Sequence, residues 1–202
     1  MPSEGPRLSA RERSQMETHQ RLLDHGTRMF ASQGVSRARA IDIARAASVA
    51  IGTLYLHFKD KDGLLREVLV VGIGKLRHPL RILAEERGQP FAHTLRRHVE
   101  VMVDFVVQHP ELSRVMFHPE VFHTPIGRDV VDFMTLTAEN LLREGMAFGE
   151  VRHDIDATVA SQALVGMLLH VLSWWAEMPS RAPREQVVET LVAFHMTALL
   201  KN

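Results

Sequence analysis

Tyr55, His57, Lys59 and Lys61 place a phenol, an imidazole and two ammonium groups within seven residues, with the hydroxyl of Thr53 just ahead of them. Groups of this kind donate hydrogen bonds and positive charge, and together they suit an anionic backbone such as that of a nucleic acid. Leu54 and Phe58 stand four apart and supply the buried side of a helix over about Ile51 to Phe58. That side turns Thr53, Tyr55, Leu56 and His57 away from the core. Just upstream, Ala40, Ile43, Ala44 and Ala47 repeat at helical spacing and describe a short helix with a small, apolar face. Only Ser48, Val49 and Ala50 separate the two, so they cross steeply. The arrangement is a helix-turn-helix, and its second helix fits a major groove.

Other chemistry has little support in the chain. There is no cysteine, which removes disulfides, thiolate metal sites and cysteine nucleophiles together. Neither a glycine-rich phosphate loop nor a G-x-S-x-G stretch occurs. Among twelve histidines, Glu120-Val-Phe-His123 matches the Glu-x-x-His element of di-metal helical bundles. That architecture needs two such elements and two further carboxylates. One is visible, beside Pro119 and Pro125. A lone ion shared by His118 and His123 is a weaker reading than surface or hydrogen-bonded histidines. No cofactor, metal or catalytic activity is expected.

The run Ile43 to Leu65, I-A-x-A-A-x-V-x-x-G-T-L-Y-x-H-F-K-x-K-x-x-L-L, resembles the DNA-binding signature of the TetR family of bacterial transcriptional repressors. The resemblance implies a DNA-binding set of Arg37, Arg39, Ile51, Gly52, Thr53, Tyr55, Leu56, His57, Lys59 and Lys61. It also implies a dimer on double-stranded operator DNA, built from the last two helices of each chain, and a small apolar effector that releases it. The chain departs from the family pattern in three places. Ser48 stands where the turn usually has glycine, so it adopts the turn at a steric cost. Arg39 and Ala40 stand where a threonine usually caps the first helix, which leaves Arg39 as a substitute phosphate contact. Ile51 opens the second helix where a polar residue is usual, so base reading there is apolar.

Net charge does not announce the partner, because 24 basic and 24 acidic side chains balance. Residues 1–63 hold ten basic against seven acidic groups, a net of +3, and the remainder is −3. That asymmetry places a DNA-facing end at the N-terminus, though weakly. No apolar run approaches the eighteen residues of a membrane span and the N-terminus lacks an apolar signal core, so a cytoplasmic protein without a membrane partner is expected. Residues 1–11 are expected to be a disordered arm. Arg7, Arg11 and Arg13 stand within reach of DNA there, but a solvated tail is the simpler reading.

The expected fold is all-α: an N-terminal three-helix DNA-binding module, residues 12–60, followed by a connecting helix, 61–78, and a larger helical-bundle domain for ligand binding and dimerisation, 79–202. The first helix ends at Gly34, a left-handed cap position. Pro79 is expected to kink or break the connecting helix. Further helices are expected over about 91–108, from Pro110 to His118, over 128–147, from a cap at Asp156 through Met178, and over 183–200, with a loop at 119–126. Met102, Phe105, Met116, Phe117, Phe133, Met134, Met167, His170 and Trp174 are candidate pocket residues, because methionine and aromatic side chains adapt to irregular cavities. Each is equally well a core residue, and His98 and His109 are polar additions to the same interior. The competing class is a helical enzyme, or a metal- or ligand-binding protein without DNA binding. It gives no reason for an exposed Tyr55-Leu56-His57 group followed by two lysines.

Overall fold

The computed structural model describes residues 9–86 and 88–200, so the expected arm at residues 1–8, with Arg7, lies outside the described residues. Among the described residues there are ten α-helices and no strand. They are α1 (Ala10–Gln33), α2 (Ala40–Ala46), α3 (Ile51–Phe58), α4 (Lys61–Glu85), α5 (Phe91–Gln108), α6 (Pro110–Met116), α7 (Pro119–Phe122), α8 (Pro125–Ala147), α9 (Ala157–Glu177) and α10 (Arg184–Leu199). The chain divides into two compact units, residues 1–68 and 69–202.

The first unit is held by small residues and caps. Ser9 and Glu12 form a capping box that starts α1 at Ala10, so Arg11 and Arg13 are helical rather than part of an arm. Glu12 lies below its usual carboxylate pKa, chiefly because the Ser9 backbone N–H donates to it. Gly34 ends α1 at φ 82°, its N–H donating to the Phe30 carbonyl at 2.9 Å. At Gly26, Leu64 of α4 packs so closely that a Cβ would stand 2.7 Å from its Cδ2. Leu22, Phe30, Ile43, Ala44, Leu54, Phe58, Leu65 and Val68 complete the core.

In the second unit, α5 packs along α10 and α8 along α9. One core cluster joins Phe91 and Leu95 of α5, Leu142 of α8, Ala157 and Leu164 of α9 and Leu199 of α10 around Val151. Asp156 caps α9, its Oδ1 accepting the Val159 N–H at 2.9 Å. Two ion pairs clamp α5 to α10: bidentate Arg96–Glu189 at 2.6 and 2.9 Å, and Arg184–Asp104 at 2.5 Å.

Two expectations about elements are corrected. α4 runs through Pro79 to Glu85. Leu76 and Leu83 are buried on either side of the proline, and that burial holds helical geometry across the missing donor. The 119–126 loop contains α7, capped by His118, and α8 starts at Pro125 rather than Arg128 because Thr124 Oγ1 accepts the Gly127 N–H. The 21-residue α9 contains an 18-residue window with a mean hydropathy of 1.4, so by length and composition alone it is apolar enough to cross a membrane. Ser161, Gln162 and His170 interrupt its apolar run, so no continuous run approaches eighteen residues there.

Candidate nucleic-acid interface and effector cavity

The helix-turn-helix stands on a strained turn. Ser48 has φ 57°, in the left-handed region that glycine adopts freely, so the steric cost expected of the serine is present. The Ser48 and Val49 N–H groups return to the carbonyls of Arg45 and Ala44, both at 3.0 Å, which closes the turn on α2. Leu54 and Phe58 are buried and orient α3. Its other faces then carry Tyr55, half exposed, and Leu56, 88% exposed. Ile51 and Thr53 are half-buried, and Gly52 is exposed with nothing within 4 Å of the position of a Cβ. Lys59 caps α3 at φ 61° with its side chain exposed.

His57 is less free than the sequence suggested. Its ring lies 5.5 Å from that of His19 on α1, which stacks on Phe58 at 4.5 Å, and His19 Nε2 is 2.8 Å from Glu67 Oε2 on α4. Burial holds the His57 imidazole below its ordinary pKa, and a charge on His19 pushes it further down against a weaker pull from Glu67. Arg37 and Arg39 are exposed on the loop between α1 and α2. Arg37 Nε donates to the Gln33 carbonyl at 2.7 Å, and Arg39, at the N-cap of α2, makes no side-chain cap. Lys61 turns inward: its Nζ donates to the carbonyls of Val35 at 2.8 Å and Ser36 at 3.4 Å. Residue spacing could not reveal that tie, because its acceptors are backbone atoms 25 and 26 positions away.

The nine candidate pocket residues separate into three groups. Met102, Phe105, Met116 and Phe117 are buried, with Phe105 edge-on to Phe117 at 6.0 Å and to His109 at 5.2 Å. Burial, helped by Lys75, lowers the His109 pKa. Met134 and Met167 are half-buried. Phe133, His170 and Trp174 do not line the interior: Phe133 is 65% exposed, Trp174 is 44% exposed and His170 is on the surface. The buried indole is Trp175, 2% exposed, whose Nε1 donates to the carbonyls of Pro179 and Ala182 at 3.0 and 2.9 Å. Extending the helical period of Leu164, Val165 and Leu172 would have selected it over Trp174. His98 Nδ1 donates to its own helix at the Thr94 carbonyl, 2.8 Å away.

Met116 meets an apolar cavity lined also by Leu69, Ile73, Val121, Phe122, Gly127 and Val130, with a volume of about 20 Å³. That is room for about one water molecule. Met116 reaches it through a notch at Gly72 of α4, where a Cβ would stand 2.0 Å from the Met116 sulfur. Among the described residues, no three histidine, aspartate or glutamate side chains converge as a metal site. His118 instead accepts the Glu120 N–H at 3.2 Å.

Residues 22–68 match the family described as bacterial regulatory proteins, tetR family, and residues 88–199 match the tetracyclin repressor-like C-terminal domain. The HTH-type transcriptional regulator AcrR of Shigella flexneri is 35% identical over 107 residues, 50% of this chain and 49% of that protein. The chain thus spans about half the length of that relative. A probable acrEF/envCD operon repressor of Escherichia coli K12 is 26% identical over 175 residues, 79% of this chain and 76% of the repressor. Among solved structures, NalD of Pseudomonas aeruginosa, described as the secondary repressor of the MexAB-OprM multidrug efflux pump, superposes with a TM-score of 0.74 at 20% identity, over 94% of this chain and 99% of NalD. KstR2 of Mycobacterium tuberculosis, a ketosteroid transcriptional regulator, superposes at 0.73 and 18% identity over 97% and 98%. At those identities the structures speak for the fold alone. With both units matched to its modules, the chain belongs to the TetR family of bacterial regulatory proteins and is a DNA-binding transcriptional regulator.

Proposed function

We propose that this chain is a homodimeric, non-enzymatic repressor of the cytoplasm that leaves its operator when a small, largely apolar molecule enters its second unit. The observation that carries the reading is Met116 in the Gly72 notch. The cavity beside it is lined by apolar side chains and is too small for a ligand of several carbons. An effector therefore binds only an arrangement in which Met116 has moved, and that movement bears on α4 at Gly72. Because α4 is one helix from Lys61 to Glu85, displacement at Gly72 is passed along its backbone. Binding and release then become one population shift, needing about 5 kcal/mol of differential affinity to go from 1:99 to 99:1.

On the DNA side, α3 presents Ile51, Thr53, Tyr55 and Leu56, with Arg37, Arg39 and Lys59 supplying charge. The reading set lacks arginine, asparagine and glutamine, so specificity leans on thymine methyls and DNA shape. Dimerisation is supported by the exposed stripe Val159, Ala163, Gly166, His170 and Trp174 along α9 and by Ala193 and Phe194 on α10. A Cβ at Gly166 would meet nothing within 4 Å in the chain itself, which leaves space for a closely approaching helix. Phe133 and Leu136 of α8 extend the exposed apolar surface.

The test is Gly72→Ala. The new methyl displaces the flexible end of Met116, so operator affinity should fall about tenfold without effector while the fold survives. A ligand that raises the melting temperature of the wild type should weaken its operator binding by the same factor by which operator weakens the ligand. A tight ligand that leaves operator affinity unchanged would separate the cavity from the switch. Sedimentation of the wild type as a stable monomer at micromolar concentration would remove the dimer.

A further inference from the structure

We infer that Lys61 is a positioning residue for operator binding, acting through the loop that carries Arg37 and Arg39 rather than on the DNA itself. The inference rests on the reading that those two arginines meet DNA. It starts from the C-terminal end of α1. No basic side chain lies in the last turn of that helix, and beyond Gly34 the loop to α2 presents backbone carbonyls. Lys61 Nζ sits on two of them, Val35 and Ser36.

The position of the lysine makes the role specific. It is the first residue of α4, the positive end of its own helix, where a cation gains nothing from the dipole. Its partners are instead the carbonyls of Val35 and Ser36 in the loop between α1 and α2. Its backbone is also fixed: Asp60 Oδ1 accepts the Gly63 N–H at 2.7 Å, and Gly63 lies so close to the Phe58 carbonyl that a Cβ would stand 2.0 Å from the oxygen. The start of α4 is thereby locked to the end of α3. Through Lys61 the lock extends to the loop, where the Ala38 N–H donates to the Gly34 carbonyl at 3.2 Å and the Ala38 side chain is buried. Arg37 and Arg39 flank Ala38, so the tie sets two exposed cations against the recognition helix. To reach a phosphate, Lys61 would have to give up a charge-assisted hydrogen bond in a half-buried site.

The experiment uses the full chain and a duplex selected by the wild type from random sequence, with affinity measured across a salt series for Lys61→Met, for Arg37→Ala with Arg39→Ala, and for the triple variant. Lys61→Met alone should weaken binding about tenfold, the scale of one charged hydrogen bond. Amide exchange at Ala38 should accelerate. In the double-arginine background the same change should alter affinity by less than about twofold and leave the salt slope untouched, because the groups it positions are gone. A further loss of about one unit of slope in that background would make Lys61 a phosphate contact and overturn the inference. Should Lys61→Met fail to fold, Lys61→Gln retains a neutral donor for the carbonyls. It should keep the wild-type slope, and a fall of about one unit would again overturn the assignment. Wild-type binding by the double-arginine variant would instead remove the loop from the interface, a failure of the underlying reading that is separately visible.

Discussion

The two units are fastened by different means. In the DNA-binding unit the close approaches involve backbone and small residues: Leu64 in the notch of Gly26, Gly63 against the Phe58 carbonyl, Lys61 on two loop carbonyls, and left-handed Ser48 and Lys59 at the ends of α2 and α3. The bundle has close approaches of its own, Met116 at Gly72 and the Val121 carbonyl at Gly127, but differs in that large apolar groups such as Phe133, Phe148, Val159 and Phe194 remain exposed in the chain. A rigid partner with fixed groove spacing calls for the first kind of construction. The enclosed ligand and the second chain proposed above would call for the second. The contrast predicts where the molecule tolerates change.

The largest effect should come from the bundle core. Trp175→Ala removes a buried indole and leaves the Pro179 and Ala182 carbonyls without their donor, which should cost about 4 kcal/mol in urea unfolding. Trp174→Ala, one residue away on the exposed side, should leave the fold within about 1 kcal/mol and act on association instead. Equal losses at the two positions would break the distinction between covered and uncovered faces.

Next in size is a pair of glycines in one helix. Gly63→Ala should cost about 3 kcal/mol, because its methyl meets a backbone oxygen that cannot rotate away. Gly74→Ala, later in α4 with nothing within 4 Å, should add up to about 1 kcal/mol of stability by restricting the unfolded chain. Thermal melts of both would show whether the rigid construction belongs to the first unit or to α4 as a whole. A gain of at most about 1 kcal/mol is likewise expected for Ser48→Gly, which relieves the left-handed serine. If that variant is no more stable than the wild type, the turn carries no stored strain.

How much was legible in the sequence follows the same division. The helix-turn-helix could be read because its signals are local: Leu54 and Phe58 at one helical spacing, Ala40 to Ala47 at another, Gly34 at a cap. Arg11 is helical rather than part of an arm because Ser9 and Glu12 form a capping box, a signal that is itself local. In the bundle the helices were legible, but their faces were not. An apolar side chain reads the same in sequence whether it meets its own core or stays exposed, so the exposure of Phe133 and Trp174 has no local signal. Neither Met116 in the Gly72 notch nor Lys61 on the Val35 carbonyl has a sequence period, since each joins distant segments.

The smallest expected effect is a dependence on pH, and it tests both units at once. His57 in the first and His109 in the second are each held below the ordinary imidazole pKa by burial, reinforced by His19 in one case and Lys75 in the other. A histidine with a lowered folded-state pKa binds fewer protons folded than unfolded. Between the lowered value and the unfolded value near 6.5, unfolding takes up protons, so stability rises with pH in that window. The contribution is fully present above the unfolded pKa and is lost as pH falls through the folded one. Urea midpoints taken from pH 8 down to pH 5 should therefore decline on the acid side, and His57→Gln and His109→Gln should each flatten part of the decline. For His57 the test can also be local: amide protection factors in α3, which are corrected for the intrinsic slowing of exchange at low pH, should fall on acidification in the wild type and not in His57→Gln. If His57→Gln leaves both the midpoint curve and α3 exchange unchanged, the ring meets no resistance to protonation in the fold. The close approach of His19, His57 and Glu67 would then be packing without electrostatic consequence.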